Sequence, residues 1–514
     1  MASDQGSASA SSSGAGTTSA SAAAIIARQD RIPIWALSYL FIGIIGVGFL
    51  FTFYDIFDIT VSFIQTCTQI VPKCVPGGPP GSITAADKLG LPVELNLAGY
   101  VIGALILSPL ADRFGRRDML LFTLLLTGLG SLYNAFVTDY TNFIIARVIT
   151  GIGIGADLAI VNTYINEVAP RGSRARYTSL IFIMSALGAF VGIWLGLWLT
   201  TPPGDFPAGL PFAQAPEFMG NGWRYMYGIG AALALIGILL RFQLPESPRW
   251  LISRGRVDQA DKIVSGMEER ARQRVSDLPA PAGELPVQAG PTKVPYTEIF
   301  TNPLYLRRTL LLVVVWFLGY ITIYAIAQGL TTLLSEVLIQ TKAAEPPIAA
   351  GKAGMLAALG TLGFIAAAVF AYYYGERLER KLWLPISAVL TVIGGILMAV
   401  FITSDNFTLA AIGAIITFFG FNLWVPMTYT WSTESYPTRA RATGFALVDG
   451  IGHLGGGVGI LLIAANITNL LDNFGTSSGP IVIFLIICIG IVAAAIIAQF
   501  GTSTRQKRLD EVSP

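Results

Sequence analysis

The stretch LADRFGRRD, residues 110–118, follows one long apolar run, and GERLERK, residues 375–381, follows another. Asp112 and Glu376 lie 264 positions apart. A second pair of loops repeats at nearly the same interval. Glu167 precedes Pro170 by three, Glu434 precedes Pro437 by three, and these two glutamates are 267 positions apart. Each E-x-x-P is followed by two arginines, Arg174 and Arg176 in one half and Arg439 and Arg441 in the other. Two signatures at one spacing indicate a duplicated unit. In membrane carriers, duplicated bundles place the substrate site at their interface near mid-membrane.

Working outward, the chain between and around these loops is built to cross a bilayer. Of its 514 residues, 53% are apolar and 12% charged, about half the charge of a typical soluble domain. Apolar runs of roughly 20 residues recur throughout. Against turn and charge signals they predict twelve helices. Six begin near Ile34, Leu91, Met119, Thr141, Tyr177 and Trp223, and six near Leu306, Lys352, Leu382, Thr408, Arg441 and Pro480. The expected organisation is a disordered Ser/Ala/Gly-rich tail over 1–33, a six-helix bundle over 34–244, a linker with an amphipathic helix over 245–305, a second bundle over 306–501 and a short tail over 502–514. The fold class is therefore an all-α membrane protein of two pseudo-symmetric six-helix bundles. With the N-terminus cytoplasmic, 27 of the 33 lysines and arginines fall on cytoplasmic segments, which favours both termini inside. Cys67 and Cys74 then lie at the outer end of the first helix and in its loop, where a disulfide and two free thiols are both open.

These residues resemble the major facilitator superfamily over nearly the whole length after the tail. LADRFGRR is similar to its cytoplasmic signature, with Ser108 where a glycine usually stands. PESPRWL at 245–251, with Arg147, Gly151 and Gly155, resembles the sugar porter and metabolite/proton symporter branches. The resemblance implies a secondary transporter working by alternating access. It also implies a role in coupling for a first-helix aspartate and a fourth-helix arginine, and here Asp55, Asp58 and Arg147 occupy those places. Asp157, in GIGIGADLAI, is similar to an acidic residue of phosphate/proton symporters. Those symporters carry a W-x-x-x-D-x-x-x-Y pattern in the seventh helix, where this chain has Tyr320 in place of the aspartate.

The chemistry of the loops and spans supports specific expectations beside the resemblance. Asp112 among Arg113, Arg116 and Arg117, Glu167 with Arg174 and Arg176, Glu376 with Arg377, and Glu434 with Arg439 and Arg441 are expected to latch one face of the carrier. The same arginines also serve topology. Within the spans, an ionisable side chain costs several kcal/mol and marks a site. Asp55 and Asp58, three apart in FTFYDIFDIT, share a helix face, and two carboxylates so close in low dielectric do not both ionise, which suits them to carrying a proton. Arg147 cannot readily deprotonate and needs an anion. Proton coupling is therefore expected from Asp55, Asp58 and Arg147, and the resemblance to phosphate/proton symporters adds Asp157.

Substrate contact is expected from Trp316, Tyr320, Tyr324 and Gln328, a stripe at intervals of four on the seventh helix. Asn422 and Trp424 beside Pro426, and Asp449 with His453 among glycines of the eleventh helix, complete the set. For the stripe and for the His/Asp pair, plain packing is the competing reading. The expected partners are a small-molecule substrate, protons and the bilayer, with no nucleic acid, and the expected state is a monomer. No metal or cofactor is expected, since no Cys/His cluster has ligand spacing, and ATP is excluded as a direct driver because no Walker A sequence occurs. An enzyme is not expected. The function expected is proton symport of a sugar or organic acid, with an inorganic phosphate or other anion symporter, or a non-transporting solute sensor, as the alternatives.

Overall fold

A computed structural model describes residues 22–75, 83–214, 220–281, 295–404, 406–437, 440–464, 466–505, 507 and 512–513. Among them are twelve helices long and apolar enough to cross a membrane. In order these spans are Tyr39–Ile70, Ala85–Ala111, Arg116–Phe136, Tyr140–Val168, Arg174–Thr200 and Gly222–Arg241, then Pro303–Ala327, Pro346–Tyr374, Arg380–Thr403, Phe407–Glu434, Arg441–Ala464 and Ile467–Ala498. Local chemistry sets several boundaries. Ser38 caps the first span by accepting from the Leu40 amide, and Thr84 with Asp87 forms a capping box at the second. The second span passes through a π turn at Gly103–Leu107 before Pro109.

The packing pattern carries the duplication into three dimensions. In the first half, spans 1 and 5, 2 and 4, 3 and 4, 3 and 6, and 1 and 6 are in contact. Adding six to each number gives the contacts of the second half: 7 and 11, 8 and 10, 9 and 10, 9 and 12, 7 and 12. The halves meet where span 2 packs on span 11 and span 5 on span 8, two contacts that exchange under the same operation. Small residues permit the close crossings. A Cβ on Gly151 would lie 2.0 Å from the Asn96 carbonyl oxygen, and one on Gly155 2.1 Å from that of Tyr100, so spans 2 and 4 touch backbone to backbone.

Two departures from expectation have physical causes, and the structure decides two points that the sequence leaves open. The last span begins at Ile467 rather than near Pro480, because a helical turn before Gly475 (φ 74°) runs into the apolar run after it. An eleven-residue apolar helix, Leu330–Gln340, follows the seventh span, too short to cross and so invisible to a span search. Cys67 and Cys74 are joined in a disulfide. The C-terminal tail is held against the tenth span, where Thr504 donates to Glu434 at 2.7 Å.

The N-terminal expectation needs the largest correction. Residues 1–21 lie outside the described residues, but 22–30 form a helix rather than a disordered stretch. Ala22, Ile25 and Ile26 pack on Trp250, Leu251 and Val264 of the linker. Arg28 pairs with Asp261 and, at 2.8 Å, with Glu268, which also takes Arg31. Arg249 returns to Asp30. A tail that looks too polar to fold alone is ordered by a partner surface with matching charge.

This clasp makes a pH prediction. Burial alone would push the Glu268 carboxyl up, but hydrogen bonds and charge from Arg28 and Arg31 reverse that and hold it below the ordinary glutamate range. A depressed carboxyl stabilises fully above its ordinary value and loses that contribution as pH falls through the depressed one. Hydrogen exchange of amides 22–30, corrected for intrinsic rate, should therefore be slow at neutral pH and accelerate in acid. Glu268→Gln should raise it at neutral pH by roughly tenfold, about 1.4 kcal/mol for a charge-assisted pair.

Candidate functional site

Three polar centres lie buried between the spans. In the first, Arg147 of span 4 reaches span 1. Its Nη1 donates to the Asp58 carboxylate at 3.3 Å and to the Asp55 backbone carbonyl at 3.2 Å. The Asp55 carboxylate accepts instead from Ser131 of span 3 at 2.8 Å, and the guanidinium sits 6.0 Å from the centre of the Tyr227 ring. Asp58 and Arg147 are fully buried, and Asp55 nearly so. Two carboxylates thus confront one guanidinium, and Oδ2 of both aspartates and Nε and Nη2 of Arg147 have no protein hydrogen-bond partner. A half-satisfied charge cluster is costly, so such a site is poised to change its protonation or its geometry.

Asp157 was expected in that group, and the structure places it elsewhere. It lies ten residues further along span 4, about 15 Å of helix rise from Arg147. There it pairs with Arg241, at the end of span 6, through two guanidinium nitrogens, one at 2.9 Å. Thr123 donates to it at 2.9 Å, and Arg241 also reaches the Leu120 carbonyl at 2.7 Å. Both partners are wholly buried. Gly48 of span 1 makes room, since a Cβ there would lie 2.3 Å from the Arg241 guanidinium. Arg241, on the flank of the linker, is one of the 27 cations that the topology assigns to cytoplasmic segments. Its one signal was position, as the terminal residue of an apolar run.

The third centre lies at the seam between halves. Asp449 of span 11 accepts from Tyr320 at 2.9 Å and from Tyr100 of span 2. Tyr320 also meets the Tyr429 hydroxyl at 3.4 Å. His453 Nδ1 lies 2.7 Å from the Asp449 carbonyl oxygen. A carbonyl only accepts, so Nδ1 carries the proton and Nε2 is the nitrogen left for another partner. The imidazole is sandwiched between Tyr100, at 3.7 Å between ring centres, and Tyr320 at 4.0 Å. Tyr324 closes an edge at 5.6 Å, and Trp316 stacks on Tyr320 and leans at a tilt on Trp424. The stripe of Trp316, Tyr320 and Tyr324 is thus an aromatic box around an acid and an imidazole. Tyr100 was missed, since a lone tyrosine in an apolar span carries no pattern.

Two expected contact residues lie outside the box. Gln328 donates to the Ile56 carbonyl at 2.9 Å, and Thr60 to that of Ala327 at 2.8 Å, so both bind span 1 to span 7. Asn422 donates to the Phe364 carbonyl at 2.9 Å and ties span 10 to span 8.

At the linker face the latches form with altered partners. Glu167 pairs with Arg116 at 3.1 Å and accepts from Ser247 at 2.6 Å, whereas Arg174 and Arg176 were expected. Arg176 lies instead 5.6 Å from the Tyr372 ring across the seam. Glu434 pairs with Arg380 at 3.4 Å, while Arg441 donates to the Thr433 carbonyl at 3.1 Å. Arg116 and Arg380 are themselves 264 positions apart, so the two latches are symmetry mates. Tandem loop arginines in the sequence misdirect, because the helix turn at Gly115 (φ 114°) swings Arg116 back under Glu167. Glu246 of PESPRWL accepts from the Arg116 and Arg117 amides at 3.1 and 3.2 Å. Glu376 accepts from the Ala175 amide at 2.9 Å, a bond between halves, and also pairs with Arg380 at 3.0 Å. Arg113, Arg117 and Arg377 rest on Phe114, the Phe242 carbonyl and Tyr374. The side chain of Asp112 and all of Arg439 lie outside the described residues.

Residues 42–514 match the family model described as "Sugar (and other) transporter". The niacin transporter NiaP of Acinetobacter baylyi is 26% identical over 494 residues, covering 95% of this chain and 99% of that protein. The 4-hydroxybenzoate transporter PcaK of the same organism is 30% identical over 372 residues, 72% of this chain and 74% of that one. Among solved structures, the major facilitator superfamily proton:xylose symporter XylE superposes with a TM-score of 0.65 at 21% identity, over 92% of this chain and 98% of its own.

The Asp157–Arg241 pair predicts strong coupling. Asp157→Ala or Arg241→Ala alone should cost roughly 3–5 kcal/mol, because each strands a buried charge. The double variant should cost less than their sum by at least about 1 kcal/mol. Thermal unfolding in detergent checks both.

Proposed function

The chain belongs to the sugar (and other) transporter family and is a multi-pass membrane transporter of the major facilitator superfamily, not an enzyme; we propose that it is a proton symporter for a small organic acid with a planar ring. The reading is carried by one observation, two buried carboxylates facing a single guanidinium with oxygens and nitrogens to spare. Protonating Asp58 releases Arg147 from its one carboxylate contact among the described residues. The guanidinium must then find another anion or carbonyl, and that need links proton binding to movement of span 4 against span 1. Asp55, held by Ser131, is the adjacent acceptor. Asp157, already neutralised by Arg241, serves this scheme as a fixed brace rather than a carrier.

The aromatic box supports the substrate class. Tyrosine and tryptophan faces take a planar ring by offset stacking. His453, once protonated, offsets Asp449 and presents an Nε2–H to a carboxylate. Two relatives are transporters of niacin and of 4-hydroxybenzoate, both planar rings bearing acid groups. A sugar is the second reading, favoured by Asp449 and the tyrosine hydroxyls as acceptors for sugar hydroxyls. Phosphate fits less well, since His453 is the one side chain among the described residues of this box that can become cationic.

Both latches lie at the linker face, each inside its own half, and Glu376 bridges the halves there; the charge bias makes this face cytoplasmic. The Cys67–Cys74 disulfide at the opposite face suits an oxidising exterior. A monomer suffices, because the seam between halves is internal to one chain.

In proteoliposomes, an inward proton gradient should drive accumulation of nicotinate or 4-hydroxybenzoate above that of xylose and phosphate. Arg147→Ala, and Asp55→Asn combined with Asp58→Asn, should abolish accumulation while substrate still protects the protein against heating. Unchanged accumulation in both would remove the coupling scheme, and ligand binding without flux in the native chain would make it a sensor. Tyr320→Phe should weaken half-saturation by roughly fivefold to tenfold, the value of one hydrogen bond.

A further inference from the structure

Outside all three centres, one carboxylate is lodged in the seam between halves. Glu94 lies on span 2, six residues before Tyr100. Its Oε2 occupies the notch left by Gly457 of span 11, where a Cβ would lie 1.5 Å from that oxygen and 2.8 Å from the Glu94 Cα. Gly457 is one helical turn beyond His453, on the side away from the linker. A turn further, Gly90 meets Leu461 in the same way, with 2.4 Å from a would-be Cβ to its Cδ2. The seam is thus closed at this end by Gly90, Glu94 and Gly457. Oε2 is shut off from solvent and has no protein hydrogen-bond partner, while the rest of Glu94 keeps part of its surface exposed.

The charged groups on neighbouring elements are known. Span 11 contributes Asp449 and His453, already joined to each other and to tyrosines. Span 4 contributes Arg147 and span 1 Asp55 and Asp58, which form the first centre. The helix Leu330–Gln340 contributes Glu336, which takes Gln340 at 2.8 Å. On span 2 itself, Asp87 is committed to the Thr84 cap and Lys88 lies over Tyr140 at 5.7 Å. Among these described groups, none is paired with the Glu94 carboxylate.

From this juxtaposition we infer that Glu94 is a second proton-binding residue of the carrier, a wedge that lets the outer seam close only when it is protonated. An ionised carboxylate pushed into a partnerless notch is strongly disfavoured. With the seam open, water solvates it and it ionises at neutral pH. Closing expels that water, so a proton must enter with the wedge. Only glycine at 457 leaves room for it. Acid outside therefore favours the outward-closed state. The inference rests on the alternating-access reading above, but not on the roles of Asp55, Asp58 and Arg147.

The test is a spin-label distance across the seam, with labels at Leu91→Cys on span 2 and Leu462→Cys on span 11, both exposed, and the buried Cys488 changed to alanine. In liposomes the native wedge should give a short distance at about pH 5.5, and the short-distance fraction should fall ~threefold or more by about pH 8. Glu94→Gln, which keeps the shape without the charge, should stay short at both. Gly457→Ala, which fills the notch, should lengthen the distance at both. A pH-independent native distance overturns the proposal, as does a Glu94→Gln variant that shifts like the native chain or stays open throughout. If the shift survives Glu94→Gln but is lost with Asp55→Asn and Asp58→Asn, the wedge fails while the first coupling centre stands.

Discussion

A guanidinium that cannot lose its proton, placed where water does not reach, must be near an anion. Arg147 is that group, and much of the first bundle is arranged around it. Span 1 supplies two aspartates on one face, span 3 a serine for the second of them, and span 6 a tyrosine ring. The glycines at 151 and 155 draw span 2 against span 4 and so seat Arg147 at depth rather than near lipid. The cluster holds one carboxylate more than its guanidinium can match and several unsatisfied atoms, whereas the Asp157–Arg241 pair below it is balanced, one acid to one base, with only Arg241 Nε left without a partner. That contrast separates a centre able to respond to a proton from one that holds helices together.

The seam between the bundles is the other constraint. It is held by a few specific links: Tyr100 to Asp449, Gln328 and Thr60 across spans 1 and 7, and Glu376 at the fifth-span N-terminus. Elsewhere the halves rest largely on small residues and aromatic faces, with Arg176 over Tyr372. Packed surfaces of this kind separate at low cost, while each bundle keeps its own buried pairs. The latches at the linker face repeat this logic twice, with Glu167–Arg116 and Glu434–Arg380 inside their own halves. They stiffen each half, and the bond from Glu376 to the Ala175 amide bridges them.

Chain order alone revealed the duplication, since loop signatures between spans must turn the chain at a fixed length of helix. It also revealed which spans carry charge, because the bilayer makes every such residue conspicuous. Partner choice was less legible. Arg174 and Arg176 stand beside Glu167 in sequence, yet Arg116 binds it from a loop fifty-one residues earlier. Arg241 read as a topological charge until span 6 brought it under Asp157. The tail around Arg28 read as disordered because its binding surface lies more than two hundred residues away.

The amino-acid sequence by itself therefore determined a twelve-span, twice-repeated carrier and its short list of buried ionisable residues, for these follow from hydropathy and periodicity, which are local. Only the tertiary structure decided which of those residues are neutralised, which are left with capacity, and where Glu94 and Tyr100 meet the second half. Charge pairing in a low-dielectric interior depends on distances of a few ångströms between helices, and nothing in the order of residues along one helix sets them.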